Sequence, residues 1–181
     1  MPVLESRQFG PISYREDALI VFPCGLPGFE ERHRFLALSL PRREPLVFLQ
    51  SVDDPSLCFL TLPVLAVEPA YRLEVSRQDL AVVGLAPASP PRIGEDVLCL
   101  AMVSIRETGA TANLLAPVVV NLRNLRAVQA VAPDSRYSHR KPLFPPPVSG
   151  HDRAAGSTDK TRPPEAGRRS ARSPAEAAPC S

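Results

Sequence analysis

Short apolar runs recur along the chain, separated by Pro, Gly, Asp and Asn. The first firm run is 18–22, and those at 35–40, 46–50 and 57–62 follow at spacings of about ten residues. Residues 71–75 alternate cleanly: Tyr71, Leu73 and Val75 fall on one face, Arg72 and Glu74 on the other. That period of two predicts a half-buried strand. Runs at 97–105, 118–121 and 125–131 complete the set. Arg106-Glu107-Thr108-Gly109 and Asn121-Leu122-Arg123-Asn124 read as turns. Many short strands punctuated this way predict an all-β, mainly antiparallel, small β-barrel-like domain.

One short helical segment is expected after Ser76. Ser76 can cap it, with Asp79 at the third helical position as a near capping box, and Leu80, Val83 and Leu85 can face the core. Residues 86–94, with Pro87, Pro90 and Pro91, read as an irregular loop. Several runs, notably 46–49 and 57–60, are apolar at consecutive positions, so both strand faces must meet apolar surroundings. Either the sheet closes and its outer face is covered, or an apolar patch is left open to bind a protein.

Composition divides the chain. It has 181 residues, 22 of them Pro, and a net charge of +2. Residues 1–144 carry 15 basic and 15 acidic side chains, so the whole charge lies in 145–181. That last stretch holds seven prolines, no aromatic residue and one large aliphatic side chain, Val148. It cannot bury enough apolar surface to offset its ordering entropy, and a disordered Pro/Arg-rich tail is expected there. Residues 1–144 are expected to form the single folded domain. The start of the chain has no basic region followed by an apolar one, so no signal peptide is expected. The run 97–103 is too short to span a bilayer. Cys24, Cys58, Cys99 and Cys180 show no close pairing, and a free Cys in an apolar run behaves as a small buried hydrophobe. A reducing cytoplasm is the expected compartment.

Candidate chemistry adds little. His33 follows Glu30-Glu31-Arg32 in a charged loop, His139 sits near the start of the tail and His151 within it, each reading as a solvated surface residue, and no ligand spacing such as C-x-x-C or H-x-x-x-H occurs. Gly25-Leu26-Pro27-Gly28 has two glycines, but Pro27 removes a backbone donor that a phosphate nest requires. Asp53-Asp54-Pro55-Ser56 reads as a turn. Catalytic residues, cofactors and metals are therefore not expected. A neutral domain almost without Lys, whose Phe residues mostly lie in apolar runs, is a poor platform for RNA.

Two segments need more than composition. Phe22-Pro23-Cys24-Gly25-Leu26-Pro27-Gly28-Phe29-Glu30 reads as a strand ending in a constrained turn, with Phe29 offered back to an apolar surface. It can be a structural turn or a binding loop. In 111–121, Asn113 and Asn121 bracket a strand-like run, and their amides can satisfy backbone or meet a partner.

These segments, in this order, resemble the flagellar assembly factor FliW family. The matching residues are Phe22 with Gly25, Leu26, Pro27, Gly28, Phe29 and Glu30, then Phe48-Leu49-Gln50-Ser51. The most specific match is Thr111-Ala112-Asn113-Leu114-x-Ala116-Pro117 ending at Asn121, followed by Gln129, Tyr137 and Leu143. The resemblance runs from about Phe9 to Leu143; Leu115 and the tail depart from it. It implies a β-barrel-like, non-enzymatic, cytoplasmic regulator, expected to be a monomer. Such a protein binds new flagellin as a chaperone and binds the RNA-binding regulator CsrA, relieving repression of flagellin translation. The candidate partner-binding or motif residues are Gly25, Leu26, Pro27, Gly28, Phe29, Asn113, Ala116, Pro117, Asn121, Gln129 and Tyr137. Direct nucleic-acid or membrane binding is not expected of such a domain. Two other classes remain open: a ligand-binding or enzymatic barrel, and RNA binding through the basic tail at Arg168, Arg169 and Arg172.

Overall fold

The computed structural model describes residues 1–86, 89–131 and 136–144. The tail expected at 145–181 lies outside the described residues, as do Pro87 and Ala88 of the expected loop; residues 89–92 form neither strand nor helix. The chain begins with a hairpin, β1 (Val3–Ser6) and β2 (Gly10–Ser13). β3 (Ile20–Val21), β4 (Arg34–Ser39), β5 (Val47–Ser51) and β6 (Cys58–Pro63) follow. Two short helices, α1 (Val64–Val67) and α2 (Arg77–Val83), precede β7 (Val97–Arg106), β8 (Gly109–Asn121), β9 (Ala127–Gln129) and β10 (Lys141–Pro142).

The main sheet runs β10-β8-β7-β6-β5-β4-β3, and β9 also pairs with β8. All of these neighbours are antiparallel. Val21 at the far edge bridges Arg126 beside β9, and its N–H donates to Leu125 O at 2.9 Å. The sheet is thereby nearly closed into a barrel, as the pattern of short strands implies. β8 is the hub: its end at 118–120 lies between β7 and β9, and its start at 111–112 lies between β7 and β10.

Closure explains the apolar runs. Ile20, Phe22, Phe35, Leu49, Leu100, Val118 and Val120 pack together as one cluster. The intervening residues of β7 and β8, among them Val97, Cys99, Ala101 and Val119, join Val64 of α1 and Tyr71 in a second cluster. Successive strand residues point to opposite faces, so two cores on the two faces require apolar residues at every position. β5 is covered differently. Phe48 meets Phe9 of the first hairpin edge-to-face, with centroids 5.2 Å apart. Buried Gln50 accepts from Ser6 Oγ at 2.8 Å and donates to the carbonyls of Ser51 and Leu57 at 3.0 Å each. A buried amide is tolerated because its bonds are made.

α2 forms as expected: Ser76 Oγ accepts from Asp79 N at 3.0 Å, and Leu80 and Val83 are buried. Residues 71–75 correct the sequence reading. Tyr71 is buried and Arg72 and Glu74 are exposed, as the alternation requires, but the segment pairs with no strand. It lies extended over the second core, where Tyr71, Leu73 and Val75 pack. Alternation reports which faces are buried; it does not supply a ladder partner. The expectation of free thiols holds for Cys58 and Cys99, whereas Cys24 is disulfide-bonded. Burial raises Cys58 to about 11 and Cys99 to about 12, so both remain protonated at neutral pH.

Candidate functional site

The candidate residues separate into two groups. The first is the loop after β3. Gly25 N donates to Phe22 O at 3.1 Å and Phe29 N to Leu26 O at 2.7 Å, giving two consecutive tight turns. Gly25 has φ of +68°, and a Cβ there would sit 2.4 Å from Glu30 O. Both features restrict the position to glycine. Gly28 has φ of +83°, and its N–H donates to Glu30 Oε1 at 2.8 Å. This backbone bond is the largest influence holding the Glu30 carboxyl below its ordinary value.

The turns sort their apolar side chains. Leu26 is buried in the barrel, Pro27 is exposed, and Phe29 remains 40% exposed. Phe29 stands edge-to-face on Phe59 at 5.1 Å, Phe59 lies 6.0 Å from Phe35, and Phe35 packs on Phe22 at 5.2 Å. A row of aromatic rings thus leads from the barrel interior to the surface. Beside it, Leu26, Pro27, Phe29, Phe59, Met102 and Gln129 line a shallow cleft of about 230 Å3. The loop is therefore both a folded turn and an exposed apolar tip.

The second group builds the centre of β8. Across the β7–β8 ladder, Met102 faces Asn113 but Leu100 faces Val118, so residues 114–117 bulge opposite Ala101. A bulge leaves backbone groups outside the ladder. Here side chains and nearby backbone take them up. Asn113 Oδ1 accepts from Leu115 N and Ala116 N at 3.1 and 3.0 Å. Tyr71 Oη donates to Leu114 O at 2.9 Å, Gln129 Nε2 to Ala116 O at 2.9 Å, and Ala130 N to Pro117 O at 2.9 Å. Pro117 fits inside the strand because it has no N–H to satisfy. Tyr137 stacks on Tyr71 at 4.3 Å, and its hydroxyl accepts from Arg72 N at 2.8 Å. Asn121 Nδ2 donates to Val83 O at 2.9 Å, tying the end of α2 to the end of β8, and its Oδ1 accepts from Arg123 N.

Asn113, Asn121, Gln129 and Tyr137 thus each put side-chain hydrogen-bonding groups into the fold. Ala116 and Pro117 are parts of the bulge those groups hold. Gln129 also reaches the first group, since it lines the cleft beside Phe29.

None of the candidate residues lines a second cleft on the opposite side, although Leu46 and Leu60 of the consecutive apolar runs do. It measures about 430 Å3, and its lining includes Leu46, Leu60, Leu62, Val103, Ile105 and Phe144. Ile105 and Phe144 are each 72% exposed. The consecutive apolar run at 57–60 signals this patch, since only part of β6 is covered. Both alternatives for the apolar runs are therefore realised: β5 is buried along its length, and β6 with the end of β7 is partly open.

Asp53 and Asp54 are turn and pairing residues. Asp53 accepts from His33 N and Arg34 N at 2.8 Å each and pairs with the Arg34 guanidinium. Burial opposes its ionisation, but these hydrogen bonds outweigh that and hold the carboxyl below its ordinary value. Among the described residues no three His, Cys, Asp or Glu side chains form a metal-holding group. No helix among them is long and apolar enough to cross a membrane.

Fold and site define a class: a small, nearly closed antiparallel β-barrel with an internally braced bulge and an aromatic-tipped surface loop. The FliW protein family model matches residues 3–143, and the chain belongs to the FliW family of flagellar assembly factors. The flagellar assembly factor FliW of Natranaerobius thermophilus is 34% identical over 144 residues, covering 78% of this chain and 91% of that protein. The one from Bacillus licheniformis is 32% identical over 143 residues, covering 78% and 96%. A crystal structure of the flagellar assembly factor FliW superposes with a TM-score of 0.70 at 26% identity, covering 80% of this chain and 98% of that one.

Proposed function

We propose that this protein is a cytoplasmic, monomeric flagellar assembly factor that works by binding, without covalent chemistry. It holds flagellin before export and antagonises a CsrA-type regulator by partner switching. When flagellin is abundant it occupies the factor, CsrA is released, and flagellin translation falls. Secretion of flagellin frees the factor to capture CsrA again.

Family membership over residues 3–143 carries this reading. The surface is consistent with it: its exposed apolar groups include an aromatic tip at Phe29 and an apolar cleft around Ile105. A chaperone for a polymerising protein needs apolar surface of this kind to keep its cargo from self-association. Pro27, Gly28 and Phe29 at the exposed tip serve as a contact, with Phe29 the side chain presented, and buried Gly25 and Leu26 hold the loop in place. Asn113, Ala116, Pro117, Asn121, Gln129 and Tyr137 serve by holding the surface in shape.

The test is retention of flagellin from cytosol by the immobilised full-length protein at micromolar concentration. Flagellin should be the principal captured species. Its absence, with the protein shown to be folded, refutes the assignment.

A further inference from the structure

The ladder between β6 and β7 stops early. Thr61 faces Met102, Leu62 faces Ala101 and Pro63 faces Leu100; residues 58–59 and 104–106 lie beyond that ladder. Residues 58–60 pair with β5 on their other side, and 103–106 pair with β8 on theirs. Among the described residues a gap therefore opens in the sheet between two strand edges.

The backbone direction in the gap follows from the far side of β8. Ala110 O accepts from Leu143 N at 3.0 Å, and Leu114 N donates to Ser138 O at 3.0 Å. Even-numbered residues in this part of β8 thus turn their backbone groups toward β10 and away from β7. Their partners across the ladder, Ile105 opposite Ala110 and Val103 opposite Ala112, must likewise turn theirs away from β8. The Ile105 N–H and C=O consequently face the gap.

Edges of this kind are normally guarded by Lys, Pro or an inward charge. Here the edge residues are Cys58, Phe59, Leu60, Val103, Ser104 and Ile105, with the first charge at Arg106 by the turn. Apolar clefts lie on both faces of the same gap: Phe59 and Met102 line the one by Phe29, and Leu60 and Ile105 line the other. An amphipathic helix fills one groove and satisfies its own backbone. A strand presents side chains to both faces and needs backbone partners at its edge. Backbone groups that face the gap beyond the ladder, with an apolar cleft on each face, match the strand.

We propose that the open edge of β7 at Ile105 receives an extended, uncharged segment of flagellin, added as a strand with apolar side chains entering both clefts. This rests on flagellin being the cargo, and the test separates the two statements. Amide hydrogen exchange resolved at Ile105 is measured with the full-length protein, alone and with saturating purified flagellin. Flagellin should slow exchange at Ile105 by about tenfold or more, the scale of one gained hydrogen bond. In parallel, Ile105→Pro, which removes the donor facing the gap, should weaken flagellin binding by about tenfold or more. Ile105→Val, which keeps it, should bind within about twofold of the parent. Circular dichroism and melting temperature establish that each variant is folded.

Flagellin binding with Ile105 exchange unchanged overturns the edge assignment and leaves the cargo reading intact. This exchange result stands even where Ile105→Pro fails to fold. Absence of any flagellin binding by the folded parent overturns both. Protection of Ile105 that rises with protein concentration alone, together with dimers in sedimentation, assigns the edge to a second copy of this chain and overturns the flagellin assignment.

Discussion

Phe29 and Asn113 differ in how they spend their side chains, and that difference predicts opposite phenotypes. Phe29 is 40% exposed and touches Phe59 at the outer end of the aromatic row. Truncating a fully buried Phe costs ~3–5 kcal/mol. Phe29→Ala loses a partial contact, so its melting temperature should fall only slightly, while flagellin affinity drops by about tenfold or more as for an exposed aromatic anchor. Asn113 is the converse. Its Oδ1 takes two bulge amides, so Asn113→Ala should destabilise the fold by ~1–3 kcal/mol through unsatisfied donors, with affinity per folded molecule nearly unchanged. Calorimetric melting and titration with flagellin on the same preparations separate the two effects. Asp53 adds a pH dependence at this scale. Its carboxyl is held below its ordinary value in the folded state, against burial, by bonds from Arg34 and His33. A depressed carboxyl stabilises fully above its unfolded value and loses that stabilisation as pH falls through the folded one. The stability difference between the parent and Asp53→Asn should therefore be present at pH 7 and shrink below about pH 4, read from urea midpoints across that range.

α2 shows how a seven-residue helix persists where an isolated one would not. Its start is closed by Ser76, whose hydroxyl also donates to Asp79 Oδ2 at 2.8 Å. Its end is closed by Gly84 at φ of +72° and by the amides of Asn121 and Asn124, which both donate to Val83 O. Removing the cap by Ser76→Ala should cost about 1 kcal/mol, seen as a lower melting temperature without loss of flagellin binding. This helix was legible because capping is local: the residues that make it are neighbours in sequence. The β7–β8 turn was legible for the same reason. The strand assigned to 71–75 was not, because a strand depends on a distant partner and period two encodes only exposure. α1 and β10, of four and two residues, carry too little pattern to register. The roles of Asn113, Gln129 and Tyr137 became visible only once a four-residue bulge gave their polar groups carbonyls and amides to meet. The cleft around Ile105 lay hidden because sequence marks apolar residues without marking which of them the fold leaves uncovered.

The proposed partner switch belongs to the scale of the whole molecule, because it requires two bindings to oppose each other on one small barrel. Residues 1–144 carry no net charge, so long-range attraction gives them little hold on nucleic acid, and the antagonism we propose acts on the RNA-binding protein itself. Two routes make the bindings exclusive. The partners share the Phe29 side of the barrel, or one of them deforms the sheet that the other uses. Either way the coupling is reciprocal: whatever factor flagellin imposes on CsrA affinity, CsrA imposes on flagellin affinity. A swing in occupancy from 1:99 to 99:1 takes on the order of 5 kcal/mol of differential binding. Adding flagellin to the preformed complex with CsrA should therefore release CsrA, and the reverse titration should give the same coupling factor. Direct overlap predicts apparent CsrA affinity falling without limit as flagellin rises. Coupling through the sheet predicts a plateau, with a ternary complex beyond it. Isothermal titration at several fixed flagellin concentrations reads the two curves apart, and stoichiometric, independent binding of both partners removes the switch.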